Sequence, residues 1–204
     1  MKIVMKKILF LTLALALAAS CGTNRNKNMT TTETREILPT EIKENPIELF
    51  DRKWALVTAG VPGDVNTMTI SWGSLGELWN RPVVTVYVSS SRYTYEFMEK
   101  NGRFTVAFFP SECKQALQYL GSHSGRDGDK IAASGLTLEW LESGQPSFKE
   151  ADMVIEAKKI YGAPFSAEGF GDVPEQFYSR GRMGVHSMYV GEIEHVWVRG
   201  RDGE

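Results

Sequence analysis

Only two cysteines stand in the 204-residue chain, Cys21 and Cys113. A disulfide-dense scaffold, which needs four or more, is excluded. No apolar run approaches the roughly 20 residues of a bilayer-spanning helix, so a polytopic membrane protein is excluded too. Positive charge is also short. Lys plus Arg number 23 against 25 Asp plus Glu, a net charge of −2. Lys2, Lys6 and Lys7 lie in the first twenty residues, where there is no acid. The remainder therefore holds 20 cations against 25 anions, a charge of −5. An acidic body lacks the basic face that nucleic acid requires. Nucleotide loops of the Gly-x-Gly-x-x-Gly and Walker types are absent, as is His-Glu-x-x-His. The three histidines, His123, His186 and His195, are too dispersed for a zinc site by spacing. At 42% hydrophobic and 24% charged residues, the composition is that of a globular chain.

The first twenty residues read as an address. Residues 1–7 are basic and residues 8–19 are apolar, the layout of a signal peptide. Leu17-Ala18-Ala19-Ser20-Cys21 resembles a bacterial lipobox, in which cleavage precedes the cysteine and the thiol is lipidated. An ordinary secretory signal with an incidental cysteine is the other reading. Lipidation of Cys21 would make the protein exported and anchored to a bacterial membrane. It would also exclude an intramolecular disulfide for Cys113, which then reads as a packing thiol. Residues 21–45 are rich in Asn, Lys, Thr and Glu and read as a polar tether, with the domain beginning at 46.

Beyond the tether, strand patterns dominate. Strands are expected at residues 53–59, 66–72, 82–89, 104–109, 136–141, 153–161 and 187–198. Short helices are expected from Ser91, as a cap, to Lys100, and from Glu112 to a stop at Gly121. This pattern favours an antiparallel barrel with peripheral helices, a sandwich being the other topology it permits. Gly121-Ser122-His123-Ser124-Gly125 has His where a hydrolase elbow carries its serine, and no strand leads into it.

Two segments carry candidate chemistry. Ser89-Ser90-Ser91-Arg92-Tyr93-Thr94 places hydroxyls and a guanidinium at a strand-to-helix junction. Such donors suit a phosphate, although a helix cap with a solvated Arg would look the same. On the strand at 66–72, Thr67, Thr69 and Ser71 share one face, and Met68, Ile70 and Trp72 the other. The hydroxyl face suits a polar ring edge, or is simply half exposed.

Five segments in order resemble the flavin reductase and flavoredoxin family. They are residues 66–72, residues 81–88, Ser91-Arg92-Tyr93-Thr94-Tyr95-Glu96, residues 104–109, and Ser124-Gly125-Arg126-Asp127-Gly128-Asp129-Lys130. His186-Ser187-Met188-Tyr189-Val190-Gly191-Glu192-Ile193 resembles the family's closing strand. The resemblance spans about residues 45–198. It implies a mainly β fold, an FMN-binding split β-barrel of Greek-key type with short peripheral helices, and a homodimer. It further implies an FMN-dependent oxidoreductase, or else a flavoredoxin-like electron carrier or flavin-binding lipoprotein without small-substrate turnover. Under this reading the FMN phosphate falls to Ser89, Ser91, Arg92 and Thr94. The polar ring edge falls to Thr67, Thr69 and Ser71. Trp72 covers the ring or serves the core. Arg126 and Lys130 close the pocket or reach the phosphate. His186 contacts the reactive ring, as the candidate catalytic residue, or is structural. The flavin performs the redox step, so no nucleophile is needed.

Export bears on the electron donor. Family members of this kind take hydride from NADH or NADPH, which are cytosolic. An exported protein would meet little of either, which favours another redox protein or a membrane component as donor over NAD(P)H.

Overall fold

The computed structural model describes residues 34–171, residue 178 and residues 184–200. Residues 1–20, read above as a signal peptide, and Cys21 lie outside the described residues. Among the described residues no helix is long and apolar enough to cross a membrane.

Among the described residues ten strands form the framework of the fold. In chain order they are β1 (Thr34–Ile37), β2 (Ala55–Val61), β3 (Asp64–Ile70), β4 (Gly73–Leu78), β5 (Arg81–Ser89), β6 (Arg103–Phe108), β7 (Leu138–Trp140), β8 (Pro146–Phe148), β9 (Met153–Pro164) and β10 (His186–Arg199). Seven of them form an antiparallel path ordered β3-β2-β6-β9-β10-β5-β4, and β1 adds to β10. The two ends of that path, β3 and β4, are consecutive in the chain. Only Ser71 and Trp72 separate Ile70 from Gly73, so the two Cα atoms are at most about 11 Å apart. The sheet must therefore curl until its edges meet, yet β3 and β4 share no ladder. The result is a barrel split at one seam, with Ser71 and Trp72 bridging it.

Strand alternation fills both faces. Ala55, Val57 and Ala59 of β2, Phe104, Val106 and Phe108 of β6, and Met153, Ile155 and Ala157 of β9 point into one core. Their neighbours Leu56, Ala107 and Val154 point into a second. Helix α3 (Lys114–Ser122) covers that second face through Leu117 and Leu120, and Phe148 of the β7–β8 hairpin joins it. Each fully buried large side chain contributes roughly 1.5–3 kcal/mol, so the outer layer is part of the fold.

Helix α2 (Tyr93–Lys100) follows β5 directly and buries Thr94, Phe97 and Met98. Two small helices complete the set, α1 (Pro46–Glu48), capped by the Asn45 side chain, and α4 (Lys130–Ala133), capped by Asp129.

Several sequence expectations shift. The tether read over 21–45 is structured from Thr34: β1 pairs Thr34–Ile37 with Arg199–Val196, and His195 Nδ1 meets Glu36 Oε1 at 2.6 Å. Ser91 does not cap α2; Arg92 is the N-cap and makes no side-chain cap bond. Gly121 does not stop α3, which runs to Ser122. The strand expected at 66–72 ends at Ile70, leaving Ser71 and Trp72 in the seam.

Candidate functional site

Three small cavities lie in a row beside the seam. The first, about 100 Å³, is lined by Ser91, Arg92, Thr94 and Lys130, with Ser122 and His123 opposite. The second, about 240 Å³, shares Ser91 and Arg92 and adds Ser89, Gly121, Met68, Thr69 and His186. The third, about 170 Å³, shares Met68, Thr69 and His186 and ends on Ser71, Trp72 and Tyr87. Shared lining residues make one track, cationic at one end and aromatic at the other.

The cationic end is built on α3. Arg92 donates from its guanidinium to the Gly121 carbonyl. Lys130 Nζ donates to the Leu120 carbonyl at 2.9 Å and the His123 carbonyl at 3.0 Å. These carbonyls lie at the helix C-terminus, where cations are favoured. They carry no formal charge, however, and among the described residues neither cation has a carboxylate partner. Lys130 is only 5% exposed. Burial, and secondarily the Arg92 charge, push its pKa down to about 8. Burial also lowers that of Arg92. Two partly desolvated cations without a carboxylate partner among the described residues have the chemistry to hold an anion. Ser89 and Ser91 add hydroxyls, bonded to each other at 2.9 Å, and Ser89 Oγ donates to the Gly184 carbonyl at 2.8 Å.

At the aromatic end, Trp72 is 39% exposed and lies 4.9 Å from the His186 ring, centroid to centroid. Tyr178 places its hydroxyl 3.0 Å from His186 Nδ1. His186 is itself 7% exposed, and burial holds its pKa below 6.5, so the ring is neutral at pH 7. Such an apolar slot with a few polar groups suits a planar heterocycle.

Most of the residues read from the sequence converge on this track: Thr69, Ser71, Trp72, Ser89, Ser91, Arg92, Thr94, Lys130 and His186. Two do not. Thr67 is fully buried and turned into the protein, donating to the Val57 carbonyl at 3.1 Å and sharing a 2.8 Å bond with Thr58 Oγ1. Arg126 faces solvent, paired with Glu96 Oε1 at 2.5 Å and lying over the Tyr93 ring at 4.7 Å. Thr94 and Thr69 reach the track while committed elsewhere. Thr94 Oγ1 accepts from Asn66 Nδ2 at 2.8 Å, and Thr69 donates to the Leu117 carbonyl. For Thr69 the cause is α3, which packs on β3 and takes up its hydroxyl; for Thr94 it is the packing of α2 on β3, which brings Asn66 within reach. Tyr87 and Tyr178 escape sequence reasoning. Tyr87 was detectable, since it alternates with the buried Val86 and Val88 on β5.

The comparisons agree with this geometry. A family model described as flavin reductase like domain matches residues 47–204. Flavoredoxin from Methanosarcina acetivorans is 27% identical, with a TM-score of 0.55, covering 71% of this chain and 67% of that one. An FMN-binding protein from Thermus thermophilus, solved with bound p-hydroxybenzaldehyde, is 26% identical with a TM-score of 0.58, covering 82% and 79%. An uncharacterized protein of Aeropyrum pernix is 24% identical over 143 residues, 70% of this chain. The chain spans about half the length of that curated relative, 48%. With residues 47–204 matched and the barrel split at its seam, the chain belongs to the flavin reductase-like family.

Proposed function

We propose that this protein binds FMN in the seam-side track and passes electrons through it. The observation that carries this reading is the pair Arg92 and Lys130, two cations sharing one small cavity with no carboxylate among the described residues to balance them. A phosphate supplies the missing charge. The track between that cavity and Trp72 offers a ribityl chain the hydroxyls of Ser89 and Ser91, and a planar ring the slot of Met68, Trp72, Tyr87 and His186.

When bound, FMN supplies the redox chemistry. The chain's own residues bind and orient it. Arg92 and Lys130 hold the phosphate, and Thr69 and Ser71 border the ring slot. Trp72 shields one side from water. His186, kept neutral by burial and held by Tyr178, presents an uncharged imidazole to the slot. No side chain has to act as a nucleophile.

The finer reading is an exported, Cys21-anchored oxidoreductase acting as a homodimer, with a redox protein rather than NAD(P)H as donor. The flavoredoxin relative and the lipobox pattern support it. The test is a visible-absorption titration of the full chain with FMN, followed by stopped-flow mixing with NADPH. A flavin spectrum perturbed at stoichiometric FMN is expected, with slow reduction by NADPH. Absence of any spectral change refutes the flavin reading, and fast reduction refutes the redox-protein donor.

A further inference from the structure

Strand β1 is held to the barrel by few contacts. Among the described residues it pairs only with β10, over four residues, and Thr34, Arg35 and Glu36 are exposed. Its apolar anchor is Ile37, half-buried against the core. Two side chains of β10 reach across to it. Arg199 Nε donates to Thr34 Oγ1 at 3.3 Å, and the same guanidinium pairs with Glu139 of β7. His195 Nδ1 donates to Glu36 Oε1 at 2.6 Å. The first link carries a permanent charge and the second a charge that titrates.

Carboxylates converge on His195 from three strands. Glu36 comes from β1, Glu156 from β9, where it is the partner across the ladder, and Glu194 from β10 itself. Glu194 is shared with Arg103 of β6 at 2.8 and 3.0 Å and lies near Lys158 of β9. Glu156 is 1% exposed and accepts from the Trp197 indole and the Ser143 hydroxyl. Among the described residues it has no Lys or Arg in ion-pair contact. The other charges near β1 are engaged elsewhere: Arg81 with Glu192, and Glu41 with the Leu38 N–H at 2.7 Å. Arg35 alternates to the opposite face of β1 from Glu36. The Glu36 hydrogen bond raises the His195 pKa above 6.5 against the opposing effect of burial, and the charges of Glu156, Glu36 and Glu194 add to the rise.

We propose that His195 is a pH-operated fastener, which grips β1 when protonated and loosens it when neutral. A neutral imidazole can still donate through Nδ1, but a charge-assisted bond is roughly twice as strong. Because the folded pKa is raised, the extra hold is complete below 6.5 and is lost as pH rises through the folded value. Loosened, the four residues would add at most about 14 Å to the chain that joins the barrel to Cys21. None of this requires bound flavin.

The test is amide hydrogen exchange on the full chain at pH 6 and pH 8.5, each rate normalised to intrinsic exchange at that pH. Protection of residues 34–37 should fall about two- to five-fold at pH 8.5, the range for an exposed ion pair. Protection in β2 and β6 should not fall with it. His195→Gln should give the lower protection at both pH values. His195→Lys keeps a cation throughout and should keep β1 protected at both. Glu36→Gln, at an exposed position, serves should the His195 variants not fold, and it should also flatten the response. Equal protection of β1 at the two pH values in the unaltered chain overturns the proposal. So does a fall retained in His195→Gln or Glu36→Gln, which assigns the titration to another group. A fall shared by β2 and β6 is a global loosening and overturns it as well.

Discussion

Arg92 and Lys130 grip neighbouring carbonyls, those of Gly121 and Leu120, at the C-terminal end of α3. One comes from the β5–α2 junction and the other from the first turn of α4, some forty residues later. Helix α3 thus serves as a jig. It sets two cations side by side and satisfies their N–H groups without neutralising them.

Loss of the first cation should weaken cofactor binding. Arg92→Ala is expected to cost about 1.5–3 kcal/mol of FMN affinity, the range for a hydrogen bond to a charged group. That is roughly a ten- to 150-fold rise in Kd. Unchanged affinity in a quenching titration would remove Arg92 from the phosphate site.

The second cation should make binding depend on pH. Lys130 titrates near 8 in the free protein. Above that value binding a phosphate must also bind a proton, so affinity should fall as pH rises from 8, by up to about tenfold per unit. Stability of the free protein should move the other way. Between 8 and the unfolded value of 10.5 the unfolded chain binds more protons, so stability rises with pH. Lys130→Met should lower FMN affinity at pH 7 and flatten its pH profile, as read from Kd at pH 7, 8 and 9.5. A slope retained in that variant would assign the titration to another group.

His186 should mark the acid limit. Its folded pKa lies below 6.5, so the unfolded chain binds the extra proton as pH falls through 6.5. Stability is then lost on acidification. Urea melts at pH 7.5 and pH 5 should show this loss, and His186→Gln should reduce it. An equal loss in the variant would place the acid sensitivity elsewhere.

Gly125 should resist substitution. Gly125→Ala drives a methyl into Asn66 Oδ1 and the Tyr93 ring and is expected to cost about 1–3 kcal/mol. Because Asn66 also donates to Thr94, the damage should reach the phosphate pocket and raise the FMN Kd. A Tm equal to that of the parent would show that the loop yields freely.

Runs of β-branched and aromatic residues made much of the barrel readable. The strands β5, β6, β9 and β10 are rich in Val, Ile, Tyr and Phe, and they were visible with ends within a few residues. Strand β4 was not visible, because Gly73, Ser74, Gly76 and Glu77 carry almost no strand signal. It exists because β5 offers it an edge. Strand β1 was hidden for the same reason inside a polar segment, and β10 supplies its partner.

For the site, local chemistry was enough to single out Ser89, Ser91 and Arg92, since a run of hydroxyls beside a guanidinium is unusual wherever it falls, whereas Lys130 was named only through the family resemblance. Local chemistry could not reveal that Lys130 would meet Arg92, that Thr67 would turn inward to Thr58, or that Arg126 would turn out to Glu96. Residue types and their spacing fix which groups are available and which strands alternate, because those follow from the chain's own periodicity. Which groups face one another follows from long-range docking, here of α3 onto β3 and of β4 back onto β5, and no local pattern encodes where a helix will come to rest.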